Sequence, residues 1–290
     1  MIWDILSAHR HLTDHLARAG LDAPRICAEV LLAHVLDIER IAIYSRYDEP
    51  VSREDLDRVN ALSRRLVAGE PLQLVVGSAQ FMSYLFEVEK GVLIPRPETE
   101  VLVERTVMQL ESAGMNRAPR ICDLGTGAGV IAVSLLKLLP GARVVATDTN
   151  AQAATLARRN ARNLGVEDRL DVLEGDLFEP LDGTGHGPFD AVISNPPYVC
   201  TAEIAGLDPV VREYDPHSAL DGGADGIDVV RRIIVKTPEW LDAGGMLGLE
   251  VGCVQAQQAA QYMRDAGLVD VAVEKDLSGI ERCVFARWAP

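Results

Sequence analysis

The chain has 290 residues, 48% hydrophobic and 24% charged, enough for one large domain or a large and a small one around an ordinary packed core. Its 28 basic and 43 acidic residues leave a net charge of −15, which argues against the broad basic footprint of a protein that grips phosphate backbones. No stretch approaches the roughly 18 continuous apolar residues of a membrane span, and the five cysteines (27, 122, 200, 253, 283) are odd in number with no Cys-x-x-Cys, so the expectation is a cytoplasmic protein without a disulfide framework or metal site.

The start, Met1-Ile2-Trp3-Asp4, lacks a basic region followed by an apolar core, so no secretory signal is expected. Residues 1–73 read as a small bundle of four or five helices. Leu6, Leu12 and Leu16, then Ala28, Leu31, Leu32 and Val35, then Leu56, Val59, Leu62 and Leu66 recur at helical spacing. Pro24 suits a helix start and Ser52-Arg-Glu-Asp55 a capped one. His9, His11 and His15 read as a polar helix face, because no carboxylate or cysteine completes a ligand set. Gly69-Glu-Pro71 breaks the helical pattern. Residues 74–96 alternate and carry Gly77, Gly91, Phe81, Tyr84 and Phe86, as expected of a β-hairpin linker. Pro97 is placed to open a helix with Glu98 and Glu100 in its first turn.

Residues 97–290 read as an α/β domain. Arg120–Leu124 is a strand, Gly125-Thr-Gly-Ala-Gly129 a glycine turn, and 130–139 a helix stopped by Pro140-Gly141. A second strand runs from Arg143 to Asp148, a helix from 151 to 164, and a third strand from 169 to Gly175-Asp176. Arg158, Arg159 and Arg162 read as a solvated face of that helix. Phe189–Ser194 is a fourth strand. Residues 199–225 read as a long connection with little periodicity, and loops of that length are often functional. Then come a helix over 227–241, a strand over 246–251, a helix over 254–266, and strands over 269–274 and 282–287. Strands alternating with helices point to a doubly wound, mainly parallel sheet.

In such a sheet, ligands bind outside the carboxyl ends of the strands. The glycine turn lets the backbone come close to a ligand. Asp148, ending the second strand, is placed to accept from two ribose hydroxyls, and Asp176, ending the third, from an adenine amino group. The spacing is Gly-x-Gly-x-Gly rather than the Gly-x-Gly-x-x-Gly of a pyrophosphate site. A ribose and adenine without a pyrophosphate fit better, namely S-adenosylmethionine. Behind the fourth strand stands Asn195-Pro-Pro-Tyr198, where two prolines without N–H groups end the ladder. The Asn195 side-chain carbonyl and the Pro196 backbone carbonyl can together accept both hydrogens of a planar NH2 group, with the Tyr198 ring over its face. That arrangement suits an amide or an exocyclic amine.

The matching stretches are Leu93-Ile-Pro-Arg-Pro-Glu-Thr-Glu100, Asp123-Leu-Gly-Thr-Gly-Ala-Gly129, Ala146-Thr-Asp148, Ser194-Asn-Pro-Pro-Tyr198, Ala219-Leu-Asp-Gly-Gly-Ala-Asp-Gly226 and Leu249-Glu-Val-Gly252. On these the chain resembles the class I methyltransferases and, more narrowly, the PrmC/HemK family, which methylates the side-chain amide of a glutamine in peptide-chain release factors. The likeness runs from about residue 66 to the end, with a compatible helical N-terminal part. Leu74, Asp215 and Leu177 depart from the family's usual residues. The resemblance implies a seven-stranded class I sheet and S-adenosylmethionine held by Gly125, Thr126, Gly127, Ala128, Gly129, Asp148, Asp176, Leu177 and Asn195. It implies catalysis by Asn195, Pro196, Pro197 and Tyr198. It also implies a release factor as protein partner, docked by the helical domain and Arg96, with no direct nucleic-acid binding and no membrane. Another protein amide, or the amine of a nucleic-acid base, is the alternative acceptor.

Overall fold

The computed structural model describes residues 3–115, 117–276 and 278–290; Met1 and Ile2, part of the start read above for a leader, lie outside them. The chain divides into two compact units, Met1–Ser78 and Ala79–Pro290.

In the first unit, β1 (Trp3–Asp4) pairs antiparallel with β2 (Pro50–Val51), a ribbon too short to show in the residue pattern. The helices are α1 (Ile5–Arg18), α2 (Pro24–Leu36), α3 (Ala42–Ser45), α4 (Arg53–Val67) and α5 (Leu72–Val76). Asp4 and Ser7 form a capping box on α1, and Ser52 caps α4 by accepting from the Asp55 amide at 3.0 Å. Leu12, Leu16, Leu31, Leu32, Val59 and Leu66 make the core, while Leu6 is only half-buried. His11 and His15 are exposed, but His9 turns inward, 4.0 Å from the buried Glu29. Residues 74–76, expected within the extended linker, instead complete the helix Leu72–Val76, because Gly77, at φ 72°, closes a helical turn onto the Gln73 carbonyl.

The hairpin of β3 (Ser78–Phe81) and β4 (Tyr84–Glu87) begins at the boundary of the two units and lies otherwise in the second. After α6 (Thr99–Ser112), which starts two residues beyond Pro97, come β5 (Arg120–Leu124), α7 (Val130–Leu138), β6 (Arg143–Asp148), α8 (Ala151–Asn163), β7 (Leu170–Glu174) and β8 (Phe189–Ser194). The connection expected to be irregular folds into a 3-10 turn and the short helices α9 (Pro209–Tyr214) and α10 (His217–Leu220). Helices this short show no periodicity and depend on tertiary contacts. Then follow α11 (Asp228–Lys236), β9 (Leu241–Glu250), α12 (Ala256–Asp265), β10 (Leu268–Lys275) and β11 (Glu281–Trp288).

The seven-stranded sheet has the order β10-β11-β9-β8-β5-β6-β7. The strands from β7 to β9 are parallel, and β11 is antiparallel to both neighbours. Both faces are covered. Ile121, Ala191 and Ile193 face the core under α6, α7 and α8, whereas Cys122, Leu124 and Val192 face α11 and α12. That two-residue alternation, apolar on both sides, is why these strands read as continuous hydrophobic runs. The chain moves outward from β5 to β7 and returns to β8 on the far side of β5. The carboxyl ends of β5 and β8 therefore flank the switch point, where an open sheet splays and a ligand can enter. No helix among the described residues is long and apolar enough to cross a membrane.

Candidate active site

The turn after β5 is held from three sides. Gly125 and Thr126 donate their amides to the Thr147 carbonyl at 2.8 and 3.0 Å. Asn160, buried on α8, donates to the carbonyls of Ala128 (2.8 Å) and Glu87 (3.0 Å), tying the turn to the hairpin. At Gly129 a Cβ would stand 3.0 Å from the Ala157 Cβ, so α8 packs directly on the turn, and φ 82° disfavours a side chain as well. Gly125 and Gly127 have no atom within 4 Å of a Cβ position, which leaves bare backbone facing open space.

Asp148 stands at the end of β6. Its Oδ2 accepts from the Gly127 amide and its Oδ1 from the Asn150 amide, both at 2.8 Å. Each oxygen keeps a second lone pair, so the carboxylate is aimed but not exhausted. Burial raises its pKa, and the two amides oppose the rise. Asp123, fully buried on β5, accepts from the Thr126 hydroxyl at 2.6 Å and is pushed up to about 7 by burial. Asp176 forms an ion pair with Arg232, and Leu177 beside it sits in the left-handed region at φ 49°.

At the end of β8 the Ser194 hydroxyl donates to the Leu124 carbonyl at 2.6 Å, locking the two strand ends together. Asn195 then donates its Nδ2 to Thr99 Oγ1 at 3.0 Å. With the nitrogen committed, the Oδ1 lone pairs are what this side chain offers to a donor. The segment leading to Thr99 is fastened by Asp215, 6% exposed, which accepts from the Ile94 amide and forms an ion pair with Arg96. Arg96, expected to face a protein substrate, thus has an intramolecular partner. Gln255 holds the other side. Its Nε2 donates to the carbonyls of Tyr198 (2.9 Å) and Gly226 (3.0 Å), and its Oε1 accepts from the Gly252 amide at 2.9 Å. Burial pushes the Tyr198 phenol up to about 12, so it stays neutral across the physiological range.

Gly222 has no room for a side chain. A Cβ there would lie 2.5 Å from the Gly226 carbonyl oxygen and 2.8 Å from that of Pro197, both backbone atoms that cannot swing away. Gly222→Ala is expected to cost about 3 kcal/mol in urea unfolding, at the upper end of overpacking costs. It should also displace the turn that carries Pro197; unchanged stability would show that the turn gives way freely.

One cleft collects Gly125, Thr126, Gly127, Ala128, Asp148, Asp176, Leu177, Asn195 and Pro197. Gly129, Pro196 and Tyr198 are not among its lining residues; Gly129 caps the start of α7, and Tyr198 is gripped through its carbonyl. The residue reading missed Thr99, Gln255 and Glu250. For Glu250 a signal was available: a lone carboxylate inside the apolar run Met246–Val251. Thr99 and Gln255 gave none, because their partners lie 96 and 57 residues away.

Residues 7–77 match the family model described as the PrmC N-terminal domain, and residues 99–206 the methyltransferase small domain. A release factor glutamine methyltransferase of Geobacter sulfurreducens is 39% identical, with 99% of this chain and 97% of that protein covered. One of Moorella thermoacetica is 40% identical over 93% of this chain and 94% of its own length. Among solved structures, a methyltransferase from Pyrococcus furiosus superposes with a TM-score of 0.50 at 16% identity, covering 81% of this chain and 98% of that one; it shares the fold.

Proposed function

The chain belongs to the family of release factor glutamine methyltransferases, and from that premise we propose that it methylates the side-chain nitrogen of the glutamine in the Gly-Gly-Gln motif of a peptide-chain release factor. The methyl donor is S-adenosylmethionine. The residues present suit it: bare backbone at Gly125 and Gly127 leaves a cradle, and Asp148 presents two aimed oxygens with spare lone pairs. We assign Gly125–Gly129, Asp148, Asp176, Leu177 and Asn195 to its binding. When bound, it supplies an electrophilic methyl group on a sulfonium.

An amide nitrogen is a poor nucleophile, because its lone pair is delocalised into the carbonyl. The chain's part is to aim that nitrogen and to stabilise the positive charge that grows on it. Asn195 Oδ1 and the Pro196 carbonyl accept from its two hydrogens, and as these polarise the two fixed dipoles hold them more tightly. Alignment alone can supply roughly 7–11 kcal/mol of the barrier. The Tyr198 ring covers the amide face, and with its phenol at about 12 it is no base. The proton leaves once the nitrogen has become cationic and acidic. The observation that carries this reading is the Asn195–Thr99 hydrogen bond, which leaves the carbonyl end of Asn195 for the acceptor. We further assign residues 1–73 to substrate docking, 74–96 to the linker and 97–290 to catalysis, in the cytoplasm with the protein substrate. The match of residues 7–77 to a domain model of their own supports that division.

The test is transfer of labelled methyl to a purified release factor with its Gly-Gly-Gln glutamine intact or replaced. Label that depends on that glutamine is the expected result. Cofactor binding without any label in the release factor overturns the reading and moves the search to other protein amides, then to nucleic-acid amines.

A further inference from the structure

Strand β9 runs through Met246-Leu-Gly-Leu-Glu250 as one buried segment holding a single carboxylate. Glu250 is 1% exposed and its Oε2 has no hydrogen-bond partner. A group so costly to bury persists where something uses it. Burial pushes it up to about 7, against hydrogen bonds from Thr99 and Asn195 and the charge of Arg282 on β11, with Glu98 adding to the rise. Tyr198, and Cys283 across the β11 pairing, feel the same charge.

We propose that Glu250 is the positioning residue that decides which end of the Asn195 amide faces the acceptor glutamine, acting on the Asn195 NH2 group directly and through the Thr99 hydroxyl. The inference rests on the reading of the function above. A threonine hydroxyl has one hydrogen and two lone pairs, and an ionised carboxylate only accepts. With Glu250 ionised, the Thr99 hydrogen turns to it and a Thr99 lone pair turns to Asn195, which must answer with its NH2 group, as observed at 3.0 Å. The Asn195 carbonyl is thereby presented to the acceptor. With Glu250 protonated, or replaced by glutamine, the group can donate to Thr99. The Thr99 hydrogen is then free to turn to Asn195, and the amide can flip. Its NH2 group would then confront the NH2 of the substrate, donor against donor.

Two pH dependences of opposite sign follow. Ionisation of Glu250 as the pH rises through about 7 sets the polarity and raises kcat. The same carboxyl favours the fold while neutral: its stabilising effect is present below its ordinary value of 4.5 and is lost as the pH rises to about 7.

The experiment compares wild type, Glu250→Gln, Thr99→Val, the double variant and Glu250→Asp for kcat, KM, cofactor affinity and thermal unfolding at pH 6–9. Glu250→Gln should lose at least tenfold in kcat above pH 7, with cofactor affinity within about threefold and Tm unchanged or higher, which a merely structural role would not produce. Thr99→Val, which leaves the direct contact between Asn195 and Glu250, should lose less than Glu250→Gln, the double variant no more than the larger single loss, and Glu250→Asp should recover part. Wild-type kcat in Glu250→Gln, or losses that multiply, overturn the proposal. The side-chain NH2 resonance of Asn195, assigned by its loss in Asn195→Ala, needs no acceptor. It should titrate near pH 7 in wild type and not in Glu250→Gln; a resonance indifferent to pH sinks the proposal even if the acceptor is not a release factor.

Discussion

Replacing Asn195 by alanine is expected to lower kcat for methyl transfer by about 10²–10³-fold, the usual cost of deleting one preorganised dipole at a developing charge. Cofactor affinity should fall by no more than a few-fold, because Asn195 is one of several groups assigned to the cofactor, and the glycine turn and Asp148 are held by contacts that do not involve it. The fold should survive as well. Asn195 is half-buried and follows the last residue of β8, and the Ser194–Leu124 bond that joins the two strand ends remains. Rapid-quench turnover with labelled donor, beside calorimetric binding, separates the two quantities. An alanine variant that turns over at the wild-type rate would remove Asn195 from the chemistry.

Asp148→Ala should show the converse. Two charge-assisted hydrogen bonds to a ribose are each worth about 1.5–3 kcal/mol, so affinity should fall by about 10²-fold or more, at 1.4 kcal/mol per decade. The loss has a second source, since the carboxylate also orders the turn through the Gly127 and Asn150 amides. At saturating cofactor, kcat should recover to within about threefold. Asp148→Asn is no remedy, because both oxygens face amide donors and an NH2 group cannot accept from either. Equilibrium dialysis reads the affinity directly; unaltered binding in Asp148→Ala would place the ribose elsewhere. Together the two variants form a crossed pair, one losing rate and keeping affinity, the other losing affinity and keeping rate.

The strands and long helices were legible because their signals are local. Phe189–Ser194 announces a strand by its apolar run and ends where two prolines remove ladder donors. The helix read over 151–164, between two strands, is present as Ala151–Asn163, and the structure caps it with Asn150. The misses are of another kind. Leu74–Val76 reads with the extended linker, yet one left-handed glycine after it closes a helical turn. Pro209–Tyr214 and His217–Leu220 are shorter than the window in which periodicity can be seen. The inward turn of His9 sets it beside Glu29 and the Tyr44 ring, which stand on other helices.

For this protein, then, the residues alone determined the sheet strands and long helices, the glycine turn and the Asn-Pro-Pro-Tyr corner, because backbone chemistry decides each within a few neighbours. What they left open is which groups meet. The Asn195 amide acquires its direction from Thr99, Tyr198 its anchor from Gln255, and Arg96 its partner from Asp215. Those pairs lie 57 to 119 residues apart and are brought together by tertiary packing around the carboxyl-end region of one twisted sheet.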